Sequence, residues 1–121
     1  MTLTSTSTDQ LAAYASTTGL PDEVRAALSR IVDRRTEVAA KETTLSQKTA
    51  ERARILEDQA RLRENLKAVP AGSDLAKKYL KRMDDQEERL SALDEEITAA
   101  NAALGVARAA LSAEIASLRI T

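Results

Sequence analysis

Residues Glu64–Leu80, which read ENLKAVPAGSDLAKKYL, decide the fold because they interrupt helical sequence near the middle of the chain. Pro70 has no amide proton and disfavours helical geometry at the residue before it, so an incoming helix should end at about Ala68. The connection to the next helix spans only about four or five residues, and connections that short favour antiparallel neighbours. The chain is therefore predicted to be all-α, a long antiparallel two-helix hairpin with its turn at about residues 69–73.

Start and stop signals predict the bounds of the two helices. Gly72 permits a left-handed backbone, and either Ser73 or Asp74 can accept a hydrogen bond from the free amides at the start of a second helix. That helix should run from about Asp74 to Leu118. The first helix should begin with Pro21 at its first position, followed by two acidic residues, because both features favour a helix start.

An apolar repeat of seven residues predicts how the helices face each other. In the second helix it comprises Ala76, Met83, Leu90, Ile97, Leu104, Leu111 and Leu118. Facing positions in an antiparallel hairpin have numbers with a constant sum, and a sum of 142 centred on the turn pairs this row with Leu66, Gln59, Arg52, Leu45, Val38, Ile31 and Val24. Such a repeat predicts a left-handed coiled coil. The companion row is more polar: Tyr79, Gln86, Leu93, Ala100, Ala107 and Glu114, facing Arg63, Leu56, Thr49, Glu42, Arg35 and Leu28.

Polar residues interrupt the apolar rows in the half of the hairpin that carries the turn. We interpret Arg52, Gln59 and Gln86 as residues that fix the register of the helices, at some cost in stability. Lys48 and Glu96 should flank the seam on the same side. Around residues 43–54 the seam of the first helix is mostly polar, so looser or locally unwound packing is expected there.

The composition points away from catalysis and from membranes. The 121 residues include no Cys and no His, so neither a Ser-His-Asp nor a Cys-His pair can form, nor an ordinary zinc site. We therefore expect no enzyme, no cofactor and no metal, and we interpret the many acidic residues as a solvated surface. No apolar run approaches the ~20 residues of a membrane span.

The first 19 residues are predicted to form a mobile start and a short helix, before the hairpin of residues 20–121. Ser7 followed by Gln10 has the form of a capping box, and Leu11 with Tyr14 or Ala15 would form one apolar face. So short a helix is marginal alone and must dock on another surface.

A second apolar row beside the main seam is a candidate docking face: Ala99, Ala103, Val106, Ala110 and Ala113. A two-helix hairpin needs only one row, so this row is expected to receive a third helix at the open end. Two occupants stay open, the segment Leu11–Ala15 and a second copy of the chain, which would make a homodimer.

The turn end is rich in basic residues: Arg61, Arg63, Lys67, Lys77, Lys78, Lys81 and Arg82. They could contact phosphates or an acidic protein, so a nucleic-acid-binding arm is the alternative function. We favour a solubilising surface, because neighbouring carboxylates neutralise part of the charge and no interleaved aromatic residues are available to stack on bases. A rigid stalk or spacer that contacts other proteins is the preferred interpretation.

Three motifs resemble the helical hairpin of bacterial mucoidy-inhibitor-like proteins, a family of unknown function. They are EDQARLRENL at Glu57–Leu66, GSDLAKKYL at Gly72–Leu80 and QEERL at Gln86–Leu90, and STDQLAAYAS at Ser7–Ser16 resembles the approach to that hairpin. The resemblance implies a fragment of a larger bacterial protein with β-rich domains, and an exported or periplasmic parent. It implies no catalytic residues.

Overall fold

The computed structural model describes residues 20–118, and within them the fold is a helical hairpin. Helix α1 comprises Asp22–Lys67 and helix α2 comprises Asp74–Leu118, and the two long helices pack antiparallel. The predicted all-α hairpin is thus confirmed, with helix bounds that agree with the prediction to within one residue. The predicted short helix lies outside the described residues.

Helix α1 begins one residue later than predicted. The backbone carbonyl of Pro21 accepts a hydrogen bond from the amide of Arg25 at 3.0 Å, so proline precedes the helix as a cap residue. Asp22 and Glu23 occupy the first turn, where their negative charge complements the positive end of the helix dipole.

The turn between the helices is a tight four-residue turn. The amide of Ser73 donates to the carbonyl of Pro70 at 3.2 Å, and Gly72 has a φ of 79°. A positive φ at the third residue is what a type II turn requires, and glycine adopts it without steric cost. Gly72 therefore performs the role that the sequence predicts for it.

Side-chain and backbone groups cap both helix ends at this turn. The Ser73 hydroxyl accepts a hydrogen bond from the Ala76 amide at 3.1 Å, and the Ser73 carbonyl accepts the first bond of α2 from Lys77 at 3.0 Å. Of the two predicted cap residues, Ser73 is the one that acts. Helix α1 tightens at its end, where the Ala68 amide donates to the Asn65 carbonyl three residues earlier at 3.1 Å.

Helix α1 is continuous through residues 43–54, so the expected local unwinding does not occur. Threonines in this region direct their hydroxyls back onto the helix. Thr43 donates to the carbonyl of Ala39 and Thr49 donates to that of Leu45, both at 3.1 Å. These bonds satisfy the hydroxyl groups without breaking the helical backbone.

By its internal packing, the described chain divides into two compact units. The terminal unit comprises residues 20–43 and 101–118, and the turn unit comprises residues 44–100. In the terminal unit Ile31 is fully buried, and it forms an apolar cluster with Leu28 and Ile115. Partly buried hydrophobic residues pack against this cluster: Leu20, Val24, Val32, Leu111 and Leu118.

The turn unit combines buried leucines with a buried amide. Leu62 and Leu93 are almost completely shielded from solvent. Gln59 is the buried polar residue of the core, with only 3 % of its surface exposed. Its place on the predicted seam agrees with the interpretation that polar residues enter this half of the interface.

One predicted row of α1 is displaced by a single residue in the turn unit. Leu62 and the half-buried Ile55 lie in the interface, whereas Arg63 and Leu56, which the constant sum selects, are exposed. The seam advances in alternating steps of three and four residues, and an antiparallel partner meets these steps in reverse order. A constant sum transfers the step pattern of α2 to α1 unchanged. In the second row it therefore selects a residue one position away from the one that packs in the interface.

Candidate interaction surfaces

Two ion pairs with a seven-residue spacing run along one flank of the turn-unit seam. Asp58 Oδ2 lies 3.0 Å from Arg82 Nη2, and Glu51 Oε2 lies 2.6 Å from Arg89 Nε. Both helices therefore advance by seven residues between one pair and the next. The position numbers sum to 140 in each pair, which agrees with the predicted register.

The opposite flank carries a second row with the same spacing. Arg52 Nε lies 2.8 Å from Asp94 Oδ1, and Gln59 Nε2 donates to Glu87 Oε1 at 2.9 Å. In both pairs the position numbers sum to 146. The sum of 142 predicted for the apolar rows lies between the values of the two flanks, as expected for a seam that runs between them.

A bridging arginine links the first row to the predicted pair of Lys48 and Glu96. The Arg89 guanidinium binds both carboxylate oxygens of Glu51, at 2.6 and 2.8 Å, and its third nitrogen, Nη1, donates to Glu96 Oε2 at 2.8 Å. Lys48 Nζ binds the other oxygen of Glu96 at 2.6 Å. The predicted flanking pair is thus present, as part of a four-residue charge network.

This network shifts the pKa values of Glu51, Glu96 and Arg89. Hydrogen bonding by Arg89 lowers the pKa of Glu51, and hydrogen bonding by Lys48 is the main cause that lowers the pKa of Glu96. The hydrogen bond to Glu51 raises the pKa of Arg89. All of these shifts favour the charged forms, so the network is held together at neutral pH.

Asp58 is a second convergence point in the turn unit. It accepts hydrogen bonds from Arg61 and from Gln86 Nε2, and it pairs with Arg82. The bond from Arg61 is the largest cause that lowers the pKa of Asp58. The oxygen Oε1 of Gln86 is buried and has no hydrogen-bond partner among residues 20–118, which is the cost of placing an amide in the seam.

The seven basic residues predicted at the turn end divide into a paired and an unpaired set. Arg61 and Arg82 contact Asp58, while Lys67 binds Glu64 at 3.1 Å and Lys81 binds Asp85 at 2.7 Å. Neighbouring carboxylates therefore neutralise four of the seven predicted cations.

The unpaired set consists of Arg63, Lys77 and Lys78. All three side chains are exposed, and none forms an ion pair within residues 20–118. Lys77 and Lys78 lie in the first turn and a half of α2, directly after the Ser73 cap. These three are the predicted contact residues that keep their charge available to a ligand.

The predicted alanine row is accessible along much of its length. In the terminal unit Val106 is 71 % exposed and Ala113 is exposed, whereas Ala103 and Ala110 are half-buried. In the turn unit Ala99 is exposed. A docking role for this row stays a prediction.

The sequence interpretation missed Arg89. It is the single cation in the acidic segment Met83–Glu96, and a lone opposite charge in such a segment is a signal of a structural partner. Its distance of seven residues from both Arg82 and Glu96 would have placed it on the same flank. In the terminal unit, Arg30 was likewise missed, and its Nε lies 3.1 Å from Glu114 Oε2.

Neither helix of the described chain is long and apolar enough to cross a membrane. Residues 20–118 also contain no group of three or more acidic side chains arranged to hold a metal ion. Comparison of the chain with models of known families, with curated proteins and with solved structures returned no significant match. The resemblance of residues 57–90 to mucoidy-inhibitor-like proteins stays a prediction.

Proposed function

We propose that this chain is a non-enzymatic structural and protein-interaction module, a rigid antiparallel coiled-coil spacer of a larger bacterial protein. The observation that carries the proposal is the spacing of the cross-helix pairs. Two pairs on each flank repeat every seven residues on both helices, which is the spacing that a coiled coil imposes on residues beside its seam.

The charge network supports the proposal that the hairpin serves as a rigid spacer. A bidentate arginine fixes the relative position of two carboxylates, because its planar donors allow only one orientation. Together with the buried leucines of the turn unit, it opposes sliding of one helix along the other. A spacer requires this resistance, since a helix pair that slips by one turn would change the separation of whatever it connects.

Spin labels can measure this rigidity directly, because the chain has no native Cys. Cysteines introduced at the exposed positions Ser46 and Ala60 of α1 should give one narrow distance distribution, at about 21 Å between backbones from the helical rise. A cross-helix pair at Ala60 and Glu88 should also give a single narrow peak. A broad or multiple distribution for the cross-helix pair would contradict the spacer.

The control for that measurement is a variant that removes the network without changing the labels. Arg89→Met should broaden the cross-helix distribution and leave the distribution within α1 unchanged. If both distributions stay narrow in this variant, the leucine packing alone supplies the rigidity. Broadening within α1 would mean that the helix itself has melted.

The unpaired cations favour one alternative, an arm that binds nucleic acid through the turn. Arg63, Lys77 and Lys78 are exposed and free of carboxylate partners within the described residues. Fluorescence anisotropy with RNA or DNA at about 50 and 200 mM salt tests it, because phosphate contacts weaken steeply over that range. Binding that falls with salt and is lost in Lys77→Glu/Lys78→Glu would replace the spacer proposal. Binding that is absent at both salt concentrations would leave the spacer as the proposal.

A further inference from the structure

We propose that two copies of this chain associate in antiparallel orientation through the outer face of α2 in the turn unit. The surface is a row of four exposed residues, which we name the charged stripe: Lys77, Lys81, Asp84 and Glu88. The proposal concerns how one hairpin meets another, so it can fail while the spacer proposal stands. Its surface is distinct from the alanine row, which lies farther along α2.

The four residues of the charged stripe lie on one face of α2. Their spacing of four, three and four residues is that of neighbours along one side of an α-helix. The hydrogen bond from Lys81 to Asp85 is the main cause that raises the pKa of Lys81, and the charges of Asp84 and Glu88 add to it. Both carboxylates therefore lie on the same side of the helix as this lysine.

Most of the charge on the stripe has no partner in the hairpin. Lys77, Asp84 and Glu88 are exposed, and none of them forms an ion pair within residues 20–118. Lys81 binds Asp85 of its own helix at 2.7 Å, and its side chain is still 73 % exposed. The stripe therefore does not contribute to the pairing of α1 with α2 in this part of the chain, unlike Arg82 and Arg89.

The order of the charges makes the stripe complementary to itself. Both cations precede both anions along α2, so a parallel pair of stripes would place like charges opposite each other. An antiparallel pair related by a two-fold axis places Lys77 opposite Glu88 of the second copy and Lys81 opposite its Asp84, because the position numbers of both pairs sum to 165. The symmetry produces each ion pair twice. This complementarity identifies a second copy of the chain as the occupant.

An exposed leucine borders the stripe close to this axis. Leu80 is 53 % exposed, and it lies three residues after Lys77 and four before Asp84. The two-fold axis leaves both copies of Leu80 on the same side of the contact, about 7 Å apart along the helix axes. Exposed ion pairs alone contribute little, and burial of the two leucines adds an apolar edge to the contact.

Sedimentation of the whole chain tests for this association. The contact is small, so protein concentrations from about 10 µM to about 1 mM are needed. At about 50 mM salt the mass should rise from the 13.1 kDa of one chain toward twice that value, and about 500 mM salt should reverse the rise. A mass that stays at 13.1 kDa up to about 1 mM protein at low salt would overturn the proposal.

A charge reversal and its repair test whether the stripe is the contact. Lys77→Glu should weaken association about tenfold, because the symmetry converts two attractive pairs into two repulsive ones. Lys77→Glu/Glu88→Lys should restore the affinity, because it exchanges the two charges of one pair. All of the substituted positions are exposed, so circular dichroism should show an unchanged helix content.

The matched control for the repair is Lys77→Glu/Glu95→Lys. It has the same net charge as the repaired variant, but its new lysine lies one repeat beyond the stripe, at another exposed position. This control should not restore association. An undiminished affinity of Lys77→Glu, or restoration by both double variants or by neither, would overturn the proposal.

A single spin label on each copy locates the contact along α2. The chain has no native Cys, so Ser91→Cys, at an exposed position, gives one label per copy. In the proposed pair Ser91 faces Asp74 of the second copy, so the two Ser91 backbones should lie about 27 Å apart. A label at the exposed Ser112 should give no distance below about 60 Å. A short distance at Ser112 and none at Ser91 would place the contact at the alanine row and overturn the proposal.

Discussion

The terminal unit and the turn unit are built from the same two helices, yet they bury different kinds of side chain. In the terminal unit Leu28, Ile31 and Ile115 form an apolar cluster. In the turn unit the seam admits the buried amide of Gln59, and a charge network around Arg89 lies beside it. Apolar burial stabilises the helix pair without specifying its register, whereas polar partners form their hydrogen bonds in only one register. The difference indicates that a buried polar residue and a bidentate charge network contribute to alignment in the turn unit, beside its own buried leucines Leu62 and Leu93.

The largest expected effect tests whether both units have equally close packing. Ile31→Ala in the terminal unit and Leu62→Ala in the turn unit should each lower the free energy of unfolding by ~2–5 kcal/mol, because both remove fully buried side chains and leave a cavity. Chemical denaturation measures the change. Leu80→Ala, at a position that is 53 % exposed, is the control and should change it by only ~0.5 kcal/mol. If Ile31→Ala costs no more than this control, the terminal core is not closely packed.

Alanine substitutions at two glycines should change the free energy of unfolding in opposite directions. Gly72→Ala in the turn should lower the free energy of unfolding by about 1 kcal/mol or more, because the φ of 79° strains any residue with a Cβ. Gly105→Ala in α2 should raise it by ~0.5–1 kcal/mol, because a Cβ there meets open space and alanine favours the helix. Thermal unfolding of the two variants beside the parent chain measures both. Two changes of the same sign would contradict the turn geometry or the helical environment of Gly105.

Replacing the buried amide of Gln59 tests whether a polar group in the core lowers the free energy of unfolding while it fixes the register of the two helices. Gln59→Leu should raise the free energy of unfolding by about 1 kcal/mol, because it removes a buried polar group while Glu87 remains accessible to water. The substitution should also weaken the preference for a single helix register, and light scattering should then detect association of the chains. Gln47→Leu, at an exposed position, is the matched control. A clear loss of stability with no association would show that the amide contributes net stabilisation.

The smallest effect is the pH dependence, which should be concentrated in the turn unit. The pKa values of Glu51, Glu96 and Asp58 are lowered in the folded state by their cationic and amide partners. Their contribution is therefore complete above their ordinary values near 4.5 and 3.8, and it is lost as the pH falls through the lowered values. Amide exchange between pH 6 and the acid limit should show the turn unit losing protection first.

The paired variant Glu51→Gln/Glu96→Gln should flatten this acid dependence, because it removes two of the three titrating groups. Glu57→Gln/Glu95→Gln is its control, because it alters exposed carboxylates that form no cross-helix ion pair within residues 20–118. An equal response of both variants would mean that general charge, rather than the network, governs stability in acid. The same network should weaken with added salt, since its members are only partly buried.

The turn and the helix bounds were predictable because they depend on local backbone chemistry. Pro70 and Gly72 act through their own φ preferences, and the Ser73 hydroxyl needs only the amide three residues ahead. The register followed from a repeat present in both helices. The Lys48–Glu96 pair was predictable from this register alone, since both side chains lie beside the seam.

Side-chain choice within the interface was less predictable, because it depends on how two helices interlock. The constant sum selects Leu56 and Arg63, but packing places Ile55 and Leu62 in the interface, since steps of three meet steps of four across an antiparallel pair. Arg89 was missed because its two partners, Glu51 and Glu96, lie on different helices and its importance comes from a bidentate geometry. The sequence placed Leu28 in the second row of the seam, whereas Ile115, which is also buried, belongs to neither predicted row.

The seven-residue spacing of the flanking pairs also determines how the length of the hairpin could change without loss of its pairing. Deleting seven residues from each helix at matched positions would bring the next pair of each row into the place of the one removed, and the seam would close again. Each such change shortens the hairpin by about 10 Å. Deleting seven residues from one helix alone would displace Asp58 from Arg82 or Glu51 from Arg89 by a whole repeat. A change in length that keeps these pairs would therefore have to remove or add seven residues in both helices together.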